Sequence, residues 1–165
     1  MNYLLNIDKE ALIAQMLEDL KGRLAALYQS ARAAYEGATH EESRAEDKYD
    51  TRGLEASYLA GAQAKRTGEL EDAIARYRNL KARIFEDDDP IALTALVQLE
   101  VDGIESLYFI GPEIGGTKLV QEGENITVIT PKAPLGKKLV GSRADDEFNL
   151  TIGGVKRSCL IISVA

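Results

Sequence analysis

Acidic side chains cluster between residues 36 and 55, and they are the groups of this chain best suited to chemistry. Glu42 and Glu46 are four residues apart, so on a helix they share one face, and Glu41 lies beside Glu42. Carboxylate oxygens are ligands that Mg²⁺ accepts, but this ion keeps several waters and usually binds phosphate oxygens as well. The cluster therefore predicts a cation site that a second macromolecule completes. Its members are Glu36, Glu41, Glu42, Glu46, Asp47, Asp50 and Glu55.

Other residue types offer little for catalysis. His40 is the only histidine and is expected to be solvated near a helix start, whereas Cys159, the only cysteine, lies in an apolar run that predicts a buried strand. Residues 111–118 contain Gly and Lys but lack the Gly-Lys-Ser/Thr order of a phosphate-binding loop, and they predict a hairpin turn. We therefore expect neither enzyme activity nor a cofactor of the chain's own.

The composition excludes several classes of protein. A chain of 165 residues makes one or two small domains. Its 20 Lys+Arg against 27 Asp+Glu give a formal net charge of −7, which argues against coating nucleic acid, so no binding to free DNA is expected. The N-terminus lacks the features of a signal peptide, and no apolar run reaches the ~18 residues of a membrane span. We expect a cytoplasmic protein without a membrane partner.

Two series of residues with heptad spacing occupy the first 85 residues. They predict two helices, the first from about residue 6 to 36, that pair as an antiparallel coiled-coil hairpin over residues 1–85. The first series is Ile13, Leu17, Leu20, Leu24, Leu27, Ala31 and Ala34. The second is Ala45, Tyr49, Arg52, Ala56, Leu59, Gln63, Arg66, Leu70, Ala73, Tyr77, Leu80 and Ile84.

The hairpin turn is predicted at residues 37–39, where the glycine can end one helix and Thr39 with Glu42 forms a capping box for the next. An alternative places the turn near Asp50–Gly53, with residues 38–50 as an irregular tip. In both cases the acids lie at the far end of the hairpin, where they stabilise no core. That position favours function over the alternative explanation, which is helix capping and interaction with the helix dipole.

The chain changes character after an acidic linker at residues 86–90, because like charges and a proline do not continue a helix. Beyond the linker, runs rich in Val, Ile, Leu and Thr predict strands. Residues 133–141 begin with a proline and space Leu135 and Leu139 by four, which predicts one short helix on a small antiparallel sheet. The predicted fold class is α+β. The predicted strands are residues 93–101, 106–110, 126–130, 147–152 and 158–164.

The C-terminal half resembles the bacterial Gre transcript-cleavage factors GreA and GreB. Residues 126–131 followed by 133–141 are similar to the family's segment in which a strand ends in Ser-Pro and leads into a Leu-Gly-x-x-Leu-x-Gly helix. Residues 145–147 are similar to the Gly-Asp-Glu that follows it. The resemblance covers nearly the whole chain and implies that residues 91–165 form the FKBP-like domain of this family, which is used for docking.

The resemblance also implies a role for the acids. In the family, the tip of an antiparallel coiled coil reads roughly Gly-Asp-Leu-Ser-Glu-Asn-Ala-Glu-Tyr and enters the secondary channel of RNA polymerase. There its acids help hold a second Mg²⁺ that activates water for cleavage of backtracked RNA. Gly37 matches the tip glycine, and Glu41 or Glu42 takes the place of the tip glutamate, with Glu46 and Asp47 one turn further on. The implied partners are RNA polymerase and the RNA 3′ end, and Glu41 and Glu42 are the implied ligands of the Mg²⁺ in the polymerase active site.

One departure from the family pattern leaves the function open. Ala38 follows Gly37 where the family has aspartate, and other family members occupy the same channel and modulate or inhibit the polymerase without assisting cleavage. A coiled-coil interaction module unrelated to transcription is a further interpretation. If the later turn is correct, Asp50 and Glu55 become the relevant acids. A set of basic residues predicts either contacts with the channel and RNA or a solvated helix face: Lys65, Arg66, Arg76, Arg78, Lys81 and Arg83.

Overall fold

A computed structural model of the protein describes residues 2–39, 52–86 and 88–165, and the side chains of residues 34, 35, 38, 39 and 52–60 lie outside this description. None of the described helices combines the length and the apolar character that a membrane span requires.

The chain divides into two compact units. The helical unit comprises Leu17–Arg78, and the sheet unit comprises Met1–Met16 together with Asn79–Ala165. Helix α1 (Lys9–Thr39) starts in the sheet unit and continues into the helical unit. The first 16 residues are therefore grouped with the sheet, whereas the sequence divides the chain at the linker.

Two long helices form the N-terminal part of the chain, as predicted. Helix α2 (Arg52–Arg78) runs antiparallel to α1, since Tyr28 donates a hydrogen bond to Glu71 while Glu10 accepts one from the amide of Ala82. Only part of the seam is fully buried, because Leu24 and Leu27 are only partly buried. The buried apolar side chains of the helical unit are Leu20, Leu70, Ala73, Ile74 and Tyr77.

The predicted turn at residues 37–39 is wrong, because α1 continues through Thr39. A glycine inside a helix costs only about 1 kcal/mol relative to alanine, and an ion pair of 3.0 Å between Arg32 and Glu36 supports the turn that precedes Gly37. Gly37 and Thr39 are therefore helical, and the capping box predicted for Thr39 with Glu42 involves a residue outside the described part of the chain. The alternative turn fails at its second half, since Gly53 lies within α2.

Helix α2 ends at Arg78, six residues before the end of the second heptad series. Side chains from elsewhere in the sheet unit satisfy the backbone after this point: the amide of Ala82 donates to Glu10 at 2.8 Å, and that of Arg83 donates to Thr94 Oγ1 at 2.9 Å. The register also changes, because Ile84 is 79% exposed. The prediction that Ile84 continues the seam is therefore wrong.

A six-stranded sheet with one short helix, α3 (Pro134–Leu139), follows the helices. The strands are β1 (Leu96–Val101), β2 (Ile104–Ile110), β3 (Lys118–Gln121), β4 (Glu124–Ile129), β5 (Glu147–Ile152) and β6 (Val155–Val164). Their order in the sheet is β3-β4-β2-β1-β6-β5. Tight turns at Asp102–Gly103, Glu122–Gly123 and Gly153–Gly154 have positive φ at both residues and close three hairpins.

The α+β class, α3 and five of the strands agree with the sequence, but two details differ. Residues 111–117 do not form a hairpin turn, because they connect β2 to β3 while β4 lies between these strands. Strand β3 itself escaped prediction. As a result β2 and β4 pair in parallel, with Leu107 opposite Ile126, whereas the other neighbouring strands are antiparallel.

The two faces of the sheet are covered by different segments. On one face, Leu139 of α3 belongs to a core with Val97, Leu99 and Ile161 that also contains the predicted core residue Cys159. On the other face, residues 2–16 cross the sheet, since Asn2 Nδ2 donates to the Val164 carbonyl on β6 while Gln15 bonds β3. The buried apolar residues on this second face are Leu96, Leu107, Phe109, Leu119, Ile126 and Val128.

Two glutamine amides attach the start of α1 to the edge strand β3. Gln15 donates to the carbonyl of Val120 at 3.0 Å and accepts from its amide at 3.3 Å. Gln121 accepts from the amide of Asp8 at 2.6 Å and donates to its carbonyl at 3.1 Å. The Gln15 side chain therefore occupies backbone groups of β3 that a neighbouring strand would bond, which protects this edge from pairing with another chain.

Candidate functional site

The acids predicted for the tip lie outside the described residues. Glu41, Glu42, Glu46 and Asp47, the predicted catalytic helpers and Mg²⁺ ligands, fall in residues 40–51, and so do His40 and Asp50. The backbone of Glu55 belongs to α2, and Glu36 pairs with Arg32 near the end of α1. Over residues 2–39, 52–86 and 88–165, no group of three or more His, Cys, Asp or Glu side chains could hold a metal ion.

The segment that carries the resemblance is built around a close approach of two backbones. A Cβ atom on Gly136 would lie 1.9 Å from the carbonyl oxygen of Thr130, so only glycine fits at this position of α3. Pro134 occupies the first turn of α3, where its missing amide hydrogen costs nothing. The signature therefore packs the helix directly onto the end of the strand that precedes it.

Two further signature positions have left-handed backbone. Gly141 has φ +89°, and its amide donates to the carbonyl of Ile91 at 2.8 Å. Asp145 has φ +68° and stands where the family has the glycine of Gly-Asp-Glu. Its amide bonds the carbonyl of Ile161 at 2.8 Å, which ties this turn to β6. The family's glycines thus correspond to positions where the backbone favours glycine.

The start of α1 carries a second group of polar side chains that the sequence did not single out. Asp8 caps the helix, since its Oδ1 accepts from the amides of Glu10 and Ala11 at 3.0 and 3.2 Å. The next residue, Lys9, lies over the ring of Phe85 and donates a hydrogen bond to the carbonyl of Arg83. Burial and, to a lesser degree, the charge of Arg83 lower the pKa of Lys9 to about 8.

A cavity of about 640 Å³ opens in the sheet unit where β2 and β4 begin. Burial, followed by the charges of Glu124 and Glu105, raises the pKa of Tyr3 in its wall. Glu105 also accepts from the amide of Gln98 at 2.6 Å. This mixed lining suits polar contacts. It consists of Tyr3, Glu105, Ser106, Leu107, Tyr108, Lys118, Glu124, Asn125 and Thr127.

The basic residues considered for channel contacts are exposed. Lys65, Arg66, Arg76 and Arg78 lie on the surface of α2, and Lys81 and Arg83 follow its end. Arg83 also pairs with Asp89 at 3.6 Å and lies over Phe85.

Burial raises the pKa of Cys159, which fits a core thiol and not a nucleophile.

The fold is thus that of an α+β protein in which two long helices precede a six-stranded sheet with one short helix. No protein-family model and no curated protein matches the chain. Among solved structures it is similar to the GreA factor homolog 1 of Thermus thermophilus, at 21% identity over 90% of this chain and 94% of that chain, with a TM-score of 0.37.

The corresponding protein of Thermus aquaticus is 24% identical, over 93% of this chain and 92% of that chain, with a TM-score of 0.39. A prokaryotic transcription elongation factor GreA/GreB from Nitrosomonas europaea is 20% identical, over 58% of this chain and 78% of that chain, with a TM-score of 0.35.

Proposed function

We propose that this protein regulates transcription elongation as an accessory factor of RNA polymerase. Its pair of long helices enters the secondary channel and stimulates cleavage of backtracked RNA, while the polymerase remains the catalyst. Glu41 and Glu42, supported by Glu46 and Asp47, act on the second Mg²⁺ of the polymerase active site, next to the RNA 3′ end.

The observation that carries this proposal is the backbone of the signature segment. Glycine is the only residue type that fits at position 136, against the carbonyl of Thr130. Gly141 and Asp145 have the left-handed conformation that glycine favours. The Leu-Gly-x-x-Leu-x-Gly and Gly-Asp-Glu patterns of the Gre family therefore correspond to structural requirements in this chain.

The helices supply the second support. Helix α2, at 27 residues, is about 40 Å long, which suits a probe that reaches into a channel. The segment that joins α1 to α2 in the sequence, residues 40–51, contains Glu41, Glu42, Glu46, Asp47 and Asp50. In a chain of net charge −7, five carboxylates thus lie in the sequence between the two helices.

The chemistry assigned to this chain is binding and orientation. Carboxylates are suitable Mg²⁺ ligands, and the ion, when held jointly with the polymerase, supplies an activated water and stabilises charge on the phosphate. Glu41 and Glu42 orient that site, and the neighbouring acids add negative charge that favours a cation.

A second candidate function has its own observation. Where the Gre tip has aspartate after glycine, this chain has Ala38, which is helical together with Gly37. A tip without that aspartate favours occupation of the secondary channel without cleavage. Under this alternative the protein inhibits or modulates the polymerase.

Binding to purified RNA polymerase tests the proposal that both functions share. We expect the protein to co-purify with the polymerase at physiological salt, and Glu41→Ala with Glu42→Ala to leave this binding nearly intact while abolishing any effect on RNA. Asp47→Ala with Asp50→Ala is the matched control and should damage the effect less. Failure of the wild-type protein to bind would leave a coiled-coil module unrelated to transcription as the better interpretation.

A further inference from the structure

Lys9 occupies an unusual position for a lysine. Its Nζ lies 4.9 Å from the centroid of the Phe85 ring, and the guanidinium of Arg83 lies 4.8 Å from the same centroid. Phe85 itself is 4% exposed and belongs to the core of the sheet unit. Two cations therefore share one aromatic ring at the boundary between core and solvent.

Nearby carboxylates are engaged with other groups. Glu10 accepts from the amide of Ala82 at 2.8 Å, and Asp8 accepts from two amides of the first turn of α1. Asp89, on the segment that carries Phe85, pairs with Arg83 at 3.6 Å. Within the described part of the chain Lys9 forms no ion pair, and its hydrogen bond is to the carbonyl of Arg83.

This environment disfavours the ammonium form. Removal from water costs a cation free energy, and the adjacent guanidinium repels it, so the pKa of Lys9 is lowered to about 8. At pH 7.5 about a quarter of such a side chain is neutral, against about one part in a thousand for an ordinary lysine with a pKa near 10.4. The neutral amine, with its free electron pair, is the nucleophile.

We propose that Lys9 is an acylation site, modified by small activated acyl donors of the acyl phosphate class. The Lys9 nitrogen forms a bond to the carbonyl carbon, the bond between that carbon and the phosphate oxygen breaks, phosphate leaves, and one proton passes to water. The product is an amide without charge.

Arg83 contributes to this chemistry in a second way. Its side chain is 53% exposed, so the guanidinium remains accessible to solvent and to an anionic donor. A guanidinium binds phosphate oxygens through two parallel hydrogen bonds, which would hold the donor beside the Lys9 amine. The same residue therefore promotes the neutral amine and attracts the reagent.

Acylation would change the contacts at the start of α1. The amide keeps a donor for the Arg83 carbonyl but loses the charge that lies over Phe85. Because Lys9 and Arg83 repel each other, neutralising Lys9 removes an unfavourable interaction from the sheet unit.

Treating the full-length protein with acetyl phosphate at pH 7.5 tests the proposal, with the rate at each lysine read by mass spectrometry. Nα-acetyl-lysine amide in the same tube is the reference amine. The larger neutral fraction of Lys9 raises its rate of acylation. Its lower basicity reduces the reactivity of each neutral amine, as it does for thiolates. We therefore expect Lys9 to react on the order of tenfold faster than the reference.

Two variants test whether the acylation rate of Lys9 depends on the neighbouring Arg83 or only on solvent exposure. Arg83→Gln keeps the backbone carbonyl but removes the second cation, and it should slow acylation of Lys9 roughly twofold to threefold. Arg157→Gln makes the same change in charge on β6, next to Asp102, and should leave the Lys9 rate unchanged. A Lys9 rate equal to or below that of the reference amine, or an equal effect of the two variants, would overturn the proposal.

Discussion

At the residue scale, the signature segment shows how a sequence pattern records backbone geometry. Gly136 lies so close to Thr130 that a methyl group has no room, and Asp145 adopts a conformation that glycine would adopt with less strain. These constraints act over a few ångströms and do not depend on the rest of the chain. They therefore restrict which residue types each of these positions accepts.

Gly136→Ala should destabilise the protein by about 2 to 4 kcal/mol, because the new Cβ would force α3 away from Thr130. Gly68→Ala is the matched control: Gly68 lies in α2 with no atom within 4 Å of a built Cβ. That substitution should stabilise by about 0.5 to 1 kcal/mol through helix propensity. Urea unfolding of both variants gives the comparison, and equal effects would contradict the close approach.

Lys9 also makes a prediction about pH at this scale. Its pKa is about 8 in the folded protein against 10.5 ordinarily, so the unfolded chain binds more protons between these values and stability rises with pH across that window. Below pH 8 Lys9 is charged in both states, so the folded protein bears the full free-energy cost of the buried charge. Lys9→Met keeps the apolar contact with Phe85 and should be more stable than wild type at pH 7 by on the order of 1 kcal/mol, a value discounted for partial exposure.

The advantage of Lys9→Met should shrink as the pH rises from 8 to 10.5, since wild type then loses its charge. Chemical unfolding of both proteins at pH 7 and pH 10 measures this difference. An advantage that stays the same at both values would mean that Lys9 is not the titrating group.

At the element scale, the sheet unit depends on residues 2–16, although these residues are far from its strands in the sequence. These residues cross one face of the sheet from β6 to β3 and cover a layer that includes Leu96, Phe109 and Val128. A fragment of residues 91–165, the domain that the sequence delimits, lacks this cover. Its apolar face would be open to solvent.

We therefore expect the 91–165 fragment to bind a hydrophobic dye and to unfold without a sharp transition. The matched control is a chain in which a short Gly/Ser linker replaces residues 17–78, so that the whole sheet unit is kept. This chain should unfold cooperatively, as followed by circular dichroism and dye fluorescence during heating. Equal behaviour of the two proteins would show that residues 2–16 are dispensable.

The same elements show what the sequence could predict and what it could not. The limits of β5 and the position of α3 were predictable. An acidic turn precedes β5 and Gly153 follows it, while Pro134 begins α3 and its leucines are spaced by four. Strand β3, which pairs with β4, was not predictable. Its four residues lie between glycines and have the pattern of a turn. The end of α1 was misplaced because Gly37 permits a turn but does not require one.

The end of α2 was misplaced for a different reason. Its heptad pattern continues to Ile84, but the amides of Ala82 and Arg83 bond side chains that are distant in sequence. No local pattern carries that information. The tip acids were proposed from composition and stay a prediction. The Lys9 environment could not be predicted, because it depends on Phe85 and Arg83, more than 70 residues away.

At the scale of the whole molecule, the chain combines a pair of long helices, a sheet unit with a segment that resembles the Gre pattern, and five acids in the sequence between the helices. The net charge of −7 argues against general coating of nucleic acid, and it agrees with the proposal that the protein meets RNA only inside a larger complex. Polymerase binding is shared by both candidate functions. The fate of the RNA separates them.

The most direct measurement is therefore the length of labelled RNA in a halted, backtracked transcription complex. With Mg²⁺ present, adding the wild-type protein should shorten the transcript from its 3′ end faster than the polymerase does alone, and Glu41→Ala with Glu42→Ala should abolish the acceleration. A protein that binds the complex yet leaves the rate of shortening unchanged, or lowers it, would contradict cleavage stimulation and identify a channel-occupying inhibitor.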